Sequence, residues 1–319
     1  MSAAEVFGRL AEGELVIIDG GTGTQLQAEG VPMDELAWCA RANLEQPDVV
    51  QRVHEEYIRA GAEVIIANSY AASRAALKPA GLGSRVAEVN RAAVRAAVRA
   101  RAAAATRPVA VAGSMSSFSP IDMDPEATDR PHPGPTADDP RFPGLADFRE
   151  QAGLLAESGV DLIALEMINA RSYGHAALQA AAETGLPVWL GVGAFRLDDG
   201  TLTGLPDLGD GESFEDLVSA LIDPALAAVT VMHSQPDVCL DAIEIIQRHF
   251  AGPVGVYAET GGWQPPNWVF DGLAPAEYLE HAINWADHGA RLIGGCCGVG
   301  PAHIRMLADG LAGGVATPR

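Results

Sequence analysis

The chain has 319 residues, enough for one large domain or two ordinary ones. Its hydrophobic fraction of 48% and aromatic fraction of 6% are typical of a globular protein rather than a fibrous or disordered one. The formal net charge of −21 argues against nucleic acid or an anionic membrane as a partner, because both attract basic surfaces. An acidic or salty cytosol would explain the charge equally well.

Several further kinds of protein are not expected. No apolar run reaches the roughly 18 residues of a membrane span, and the N-terminal segment 1–14 lacks the apolar core of a secretion signal. Four cysteines are too few for a disulfide framework and fit a reducing, cytoplasmic setting. Schiff-base chemistry is not expected either, because the one lysine, Lys78, stands beside a proline in a predicted loop.

Eight short apolar runs recur along the chain, each followed by a longer Ala-rich stretch with helical spacing. They cover residues 16–19, 63–68, 109–114, 161–166, 187–193, 227–233, 254–259 and 291–297. Between them, segments such as 48–61 and 277–290 have apolar residues at helical spacing. Near-continuous apolar runs are typical of buried parallel strands. The repeat predicts a (β/α)8 TIM barrel of the α/β class, with residues 1–319 as a single domain. A doubly wound open sheet is the competing architecture.

Two segments interrupt this repeat. Residues 115–147 follow the third predicted strand and are rich in Pro and Asp. A loop of this length is usually functional or disordered. In a barrel it leaves the C-terminal end of the strand, where substrate loops lie, so we predict that it acts as a lid. A smaller loop of the same kind covers residues 198–214.

Polar residues gather at the C-terminal ends of the predicted strands, where barrel enzymes carry their active sites. The candidate substrate-binding residues, in chain order, are Asp19, Gly20, Gly21, Thr22, Asn68, Tyr70, Ser114, Glu166 and Glu259. Glu166 ends an otherwise apolar strand, which favours a carboxylate that binds a substrate ammonium group. The alternative is that Glu166 pairs with a buried arginine.

The segment LIGGCCGVGP, residues 292–301, places Cys296 and Cys297 side by side between glycines. A disulfide between neighbours is strained, whereas two thiolates on a flexible turn suit a soft metal. Catalytic zinc usually has three protein ligands and one open position. His233, at the end of the sixth strand, is the predicted third ligand. Cys239 is the competing candidate, but its amphipathic helical segment favours a small buried side chain.

The glycine-rich turns allow another interpretation. Loops after the seventh and eighth strands of many barrels bind a phosphate through backbone N–H groups. GGTG at residues 20–23 is either such a cradle or a tight turn. In the last loop, two cysteines that face the same space would be hard to explain by phosphate binding.

With its strand ends considered together, the chain resembles the homocysteine S-methyltransferase family. The similar segments are IIDGGTGTQL (17–26), 46–73, VAGS (111–114), SGVDLIALEM (158–167) and RLIGGCCGVGPAHIRML (291–307). The resemblance implies a (β/α)8 barrel with one zinc ion bound by three cysteines. Two are those of GGCC, here Cys296 and Cys297, and the third closes a Gly-x-Asn-Cys segment after the sixth strand. It further implies that zinc binds the thiolate of homocysteine while this attacks the methyl group of a sulfonium or ammonium donor.

Four strand ends depart from that family pattern. Met232-His233 stands in place of Asn-Cys, Ala258-Glu259 in place of Pro-Asn, and Met167 in place of Thr. Residues 116–119, Ser-Ser-Phe-Ser, replace Gly-Pro-Tyr-Gly. Zinc bound by two cysteines and one histidine would have less negative ligand charge, so it would be the stronger Lewis acid and the bound thiolate less nucleophilic.

The sequence therefore predicts a zinc-dependent methyltransferase with homocysteine or a related thiol or selenol as acceptor and small molecules as its partners. Tyr70, Trp263 and Trp268 are candidates for cation–π contact with the cationic donor. One alternative is a zinc barrel of the same ancestry that hydrolyses or demethylates another methylated compound. Another is a binding protein that has lost its zinc. The oligomeric state is not determined by the sequence.

Overall fold

The computed structural model describes residues 3–118, 142–205 and 211–312. Its central sheet has eight parallel strands, and the predicted runs are confirmed with ends shifted by no more than two residues. These strands are β1 (Val16–Ile17), β2 (Val64–Ala67), β3 (Ala110–Ser116), β4 (Leu162–Glu166), β5 (Val188–Val192), β6 (Ala228–Met232), β7 (Val254–Ala258) and β8 (Ala290–Gly295).

The sheet curls into a nearly closed barrel. Strands that follow each other in sequence are neighbours from β2 to β8, and β8 pairs in parallel with β1. An isolated parallel bridge between Ile18 and Val64 connects β1 to β2. The predicted TIM barrel is therefore confirmed.

Helices cover the outside of the barrel. Those that lie between or after the strands are Pro47–Ala60, Val86–Ala104, Leu145–Glu157, Arg171–Ala182, Phe214–Leu221, Cys239–His249, Pro275–Asp287 and Pro301–Leu311. Shorter helical segments in the connections are Thr22–Ala28, Ala42–Glu45, Arg74–Leu77 and Gly83–Arg85. The first helix, Ala3–Ala11, buries Val6 and Leu10 among residues at the N-terminal ends of the strands. Throughout the described part of the chain, no helix has both the length and the apolar character needed to cross a bilayer.

Alternating side chains separate the barrel interior from the layer beneath the helices. Along β4, Leu162 and Ala164 belong to the interior cluster, whereas Ile163 and Leu165 pack in the outer cluster. Both faces are therefore apolar, which explains the continuous apolar runs of the sequence. Trp189 fills the interior and is 2% exposed. Apolar side chains fill the barrel interior, and polar side chains lie at the C-terminal ends of the strands.

Two antiparallel hairpins follow barrel strands, and the sequence patterns do not indicate them. Phe195–Arg196 pairs with Leu202–Thr203 after β5, and Gly262–Gln264 pairs with Asn267–Val269 after β7. The first hairpin occupies part of the predicted loop 198–214.

The predicted loop 115–147 is shorter than expected at both ends. β3 continues to Ser116, because Met115 and Ser116 pair with the end of β4, and the next helix begins at Leu145. Residues 119–141 of this loop, and residues 206–210 of the smaller one, lie outside the described residues. The lid function stays a prediction.

Candidate functional site

The three predicted metal ligands lie together at the C-terminal end of the barrel. Sγ of Cys296 is 3.6 Å from Nδ1 of His233 and 3.9 Å from Sγ of Cys297. The three ligand atoms lie within 4.8 Å of one another. Within residues 3–118, 142–205 and 211–312, this is the one group of three or more His, Cys, Asp or Glu side chains so arranged. We name it the His–Cys cluster.

The two distances from Sγ of Cys296 suit a tetrahedral zinc ion. Zinc–sulfur bonds of about 2.3 Å and zinc–nitrogen bonds of about 2.0 Å place two sulfurs about 3.8 Å apart. The same geometry places a sulfur and a nitrogen about 3.5 Å apart. The observed 3.9 and 3.6 Å fit both values. Two thiols and one imidazole are also a donor set that catalytic zinc accepts, so the residues present fit this metal.

Glycines bring the loops after β1 and β8 close enough to form this site. A Cβ atom on Gly21 would lie 2.5 Å from the carbonyl oxygen of Cys296, and one on Gly20 would clash with the carbonyl oxygen of Val299. Oη of Tyr57 lies 3.2 Å from the carbonyl oxygen of Gly21 and 3.1 Å from that of Val299, and so ties the two loops. The close approach of these two loops requires Gly20 and Gly21, so phosphate binding is not needed to explain the GGTG segment.

The backbone of His233 is in an unusual conformation. Its φ is 47°, in the left-handed region that residues other than glycine seldom adopt. Its N–H lies 3.3 Å from the carbonyl oxygen of Tyr257 on the neighbouring strand β7. Nδ1 lies 2.8 Å from Oε2 of Glu259, in addition to its contact with Cys296. Such strain often accompanies functional sites.

The two cysteines differ in acidity when no metal is bound. The hydrogen bond with Cys297 and the contacts with His233 lower the pKa of Cys296 to about 6, although burial opposes this. The pKa of Cys297 rises well above its usual range because of the hydrogen bond with Cys296 and burial. Burial acts to lower the pKa of His233, but the charge of Glu259 and the Cys296 contact raise it well above its usual range. A metal ion must displace the proton of His233 to bind there.

Two buried carboxylates lie within electrostatic range of Cys296. Glu166 accepts a hydrogen bond from Oγ of Ser114 and contacts Tyr257, and burial is the main cause that raises its pKa to about 7. Of the described arginines, none forms an ion pair with Glu166, which argues against the structural alternative.

Asp19 is the second of these carboxylates. Its Oδ2 accepts a hydrogen bond of 2.8 Å from the N–H of Ile66, whereas Oδ1 is buried and has no hydrogen-bond partner in the described part of the chain. Burial, with a contribution from the charge of Glu166, raises the pKa of Asp19 well above its usual range. Burial therefore shifts both acids toward the neutral form, and a cation beside them would shift them back toward the ionised form.

Other candidate residues have different surroundings. Nδ2 of Asn68 donates to Oδ1 of Asn43 and to the carbonyl oxygen of Cys39, while its Oδ1 accepts from Sγ of Cys39. The amide of Asn68 is thus engaged within the protein. Thr22 begins the helix Thr22–Ala28 and is half-buried. Cys239 is buried at the start of its helix and is not part of the His–Cys cluster. Substrate binding by Asn68 and Thr22 stays a prediction.

Aromatic rings form a continuous row that begins at the His–Cys cluster. Consecutive ring centroids are 5.5 to 6.4 Å apart. We name this row the aromatic wall, and it consists of His233, Trp268, Trp263, Trp38, Tyr70 and Phe118. Sequence reasoning missed Trp38 and Phe118, because both lie in irregular segments without periodic apolar spacing. It also missed Tyr257, which reads as an ordinary apolar residue of β7.

The fold and this site together define a barrel enzyme with a thiol-rich cluster and buried carboxylates at the C-terminal ends of its strands. The family described as homocysteine S-methyltransferase matches residues 16–311. The chain therefore belongs to the homocysteine S-methyltransferase family, and it is an enzyme of the type that transfers methyl groups to thiols. The resemblance predicted from its motifs is confirmed.

Individual relatives cover nearly the whole chain. The homocysteine S-methyltransferase 1 of Zea mays is 30% identical and covers 94% of this chain and 95% of its own length. The selenocysteine methyltransferase of Astragalus bisulcatus is 28% identical, with 95% and 94% covered. The solved structure of the homocysteine methyltransferase MmuM from Escherichia coli, metallated form, has a TM-score of 0.71 and 26% identity, with 93% and 96% covered.

Proposed function

We propose that the protein is a zinc-dependent methyltransferase. It moves a methyl group from a cationic sulfonium or ammonium donor to homocysteine or a related thiol or selenol. The observation that carries this proposal is the His–Cys cluster, in which Cys296 contacts both His233 and Cys297 at distances that suit one zinc ion. Family membership supports the acceptor, since the relatives named above are methyltransferases of homocysteine and selenocysteine.

The His–Cys cluster would hold the metal through two sulfurs and one nitrogen, with a fourth position for the acceptor. Bound zinc lowers the pKa of a coordinated thiol, which makes a strong nucleophile available at neutral pH. The remaining task of the protein is to align the acceptor sulfur with the methyl carbon of the donor.

We infer that Asp19 and Glu166 bind the ammonium group of an amino-acid acceptor. Oδ1 of Asp19 has no hydrogen-bond partner among the described residues, so a donor from a ligand can satisfy it. An ammonium group beside Glu166 would favour its ionised form and lower the pKa from about 7. The hydrogen bond from Ser114 fixes the orientation of that carboxylate.

We infer that the aromatic wall binds the cationic methyl donor. The faces of Trp and Tyr rings attract cations, with about 0.5–2 kcal/mol for each contact depending on desolvation. The wall reaches the His–Cys cluster at Trp268, whose ring centroid lies 6.0 Å from that of His233. A donor bound along the wall would therefore present its methyl group beside the cluster. The net charge of −21 also suits a cationic donor and argues against a nucleic-acid partner.

The proposal includes a reducing, cytoplasmic location, because all four cysteines are free thiols. Protein purified without chelators is expected to contain about one zinc ion per chain. With homocysteine or selenocysteine and donors such as S-methylmethionine, S-adenosylmethionine or betaine, mass spectrometry should detect the methylated acceptor. Less than about half an equivalent of zinc would contradict the proposed metal site. Products derived from water, in place of methyl transfer, would favour zinc-assisted hydrolysis.

A further inference from the structure

Glu259 is a mostly buried carboxylate that follows β7, and one of its oxygens has no hydrogen-bond partner within residues 3–118, 142–205 and 211–312. Its side chain is 14% exposed. Oε1 accepts a hydrogen bond of 3.0 Å from Nε2 of Gln235, and the backbone N–H donates to the carbonyl oxygen of Ser234 at 3.0 Å. Oε2 is fully buried and lies 2.8 Å from Nδ1 of His233, without hydrogen-bond alignment.

The geometry around His233 explains why Oε2 of Glu259 accepts no hydrogen bond from the imidazole. The nitrogen beside Glu259 is the same nitrogen that faces Sγ of Cys296 at 3.6 Å. A single ring nitrogen directs one N–H bond or one lone pair, and that direction is toward the sulfur. Oε2 of Glu259 therefore makes no aligned hydrogen bond with Nδ1 and acts on the imidazole through its charge at 2.8 Å.

A buried carboxylate needs a positive charge nearby, because its desolvation is otherwise not compensated. Among the described residues, the ion pairs of Lys and Arg do not include Glu259, and its contacts are with His233 and Gln235. An imidazole that binds a metal does so in its neutral form. The cation that compensates Glu259 in the loaded enzyme is then the metal ion itself.

We propose that Glu259 is a positioning residue of the metal site, which retains the ion through its negative charge and keeps His233 oriented toward Cys296. Two thiolates balance the charge of a divalent ion, and Glu259 adds one further negative charge beside it. This charge also raises the electron density on a thiol bound to the ion, and so offsets the weaker donation of a neutral imidazole. The inference rests on the zinc site proposed above.

The central variant is Glu259→Gln, which keeps the size of the side chain and an acceptor for Gln235 but removes the charge. Glu259→Asp keeps the charge on a shorter side chain. Gln235→Ala is the matched control, because it removes the hydrogen bond to Oε1 and leaves the carboxylate in place. Zinc affinity is measured by competition with a chromophoric chelator, and the absorption bands of the cobalt-substituted protein report the geometry of the ligands.

Glu259→Gln is expected to weaken zinc binding about 10- to 100-fold and to shift the cobalt bands. Glu259→Asp should recover part of the affinity, and Gln235→Ala should change it less than Glu259→Gln does. If Glu259→Gln binds zinc within about twofold of the wild type with the same cobalt spectrum, Glu259 has no such role. If Glu259→Gln does not fold, Glu259→Ala replaces it, and an Ala variant that folds and binds zinc within about twofold of the wild type also overturns the proposed role.

The wild-type protein separates this inference from the proposed function. If the wild-type protein binds zinc and methylates a thiol, and Glu259→Gln has the same zinc affinity, only the role of Glu259 is overturned. Wild-type protein that does not bind zinc overturns both.

Discussion

Glu166→Gln is expected to stabilise the metal-free protein at pH 8, and the stabilisation should disappear as the pH falls toward 4.5. Burial raises the pKa of Glu166 from 4.5 to about 7. A carboxyl group with a raised pKa favours the folded state while it is protonated. This contribution is complete below the unfolded pKa and is lost as the pH rises through about 7. The shift corresponds to roughly 3 kcal/mol, and a neutral Gln avoids this cost.

The assay is urea unfolding followed by circular dichroism, with chelator present, at several pH values between 5 and 8.5. A melting experiment should show a rise of roughly 5 °C at pH 8. Glu280→Gln is the matched control, because Glu280 is exposed and should show no such dependence on pH. If the free energies of unfolding of variant and wild type differ by the same amount at every pH, this account of Glu166 is refuted.

The same replacement should weaken acceptor binding. Glu166 is proposed to bind the ammonium group of the acceptor, and a hydrogen bond between charged groups contributes about 1.5–3 kcal/mol. The KM for homocysteine should therefore rise roughly 10- to 100-fold, whereas the KM for the donor changes little. Glu166→Gln would thus gain stability and lose activity, as is common for residues of active sites.

Three other variants test the remaining parts of the site. Cys296→Ser should reduce zinc content below about half an equivalent, as measured by elemental analysis, while Cys239→Ser retains zinc because Cys239 lies outside the His–Cys cluster. Gly21→Ala should weaken zinc binding and lower the melting temperature, because its Cβ would lie 2.5 Å from the carbonyl oxygen of Cys296. Gly153→Ala, with open space around its Cβ, should do neither. Trp263→Ala should raise the KM for the donor and not for the thiol, and Trp263→Phe should restore most of the difference; equal effects on both substrates would contradict the cation–π role.

The barrel could be predicted because its strands are buried on both faces. β4, for example, is apolar from Leu162 to Leu165, since interior and outer layers both exclude water there. The hairpins of residues 195–203 and 262–269 could not be predicted in this way. Their strands have two or three residues, and several of these side chains are exposed, so no period develops.

The grouping of His233, Cys296 and Cys297 was predictable because residue type and position at a strand end both indicated it. The contact between His233 and Glu259 was not, since it depends on the left-handed backbone of His233, which sequence does not specify for a histidine. The surroundings of Asn68 were missed for another reason. Its partners Asn43 and Cys39 come from the irregular connection after β1, where no pattern indicates which side chains meet.

The hydroxyl of Tyr57 connects the loops after β1 and β8, so closure of the barrel and the position of the two cysteines depend on each other. β1 has two residues and meets β2 through a single bridge, while the hydroxyl of Tyr57 reaches Val299, 242 residues further along the chain. We expect the contact between β1 and β2 to open before the rest of the barrel, because few backbone hydrogen bonds hold these two strands together. Cys297, buried in the closed form, would then react with alkylating reagents at a rate that reports opening. Whatever binds the thiols slows that reaction as well, since it holds the loop after β8 to His233 at the end of β6.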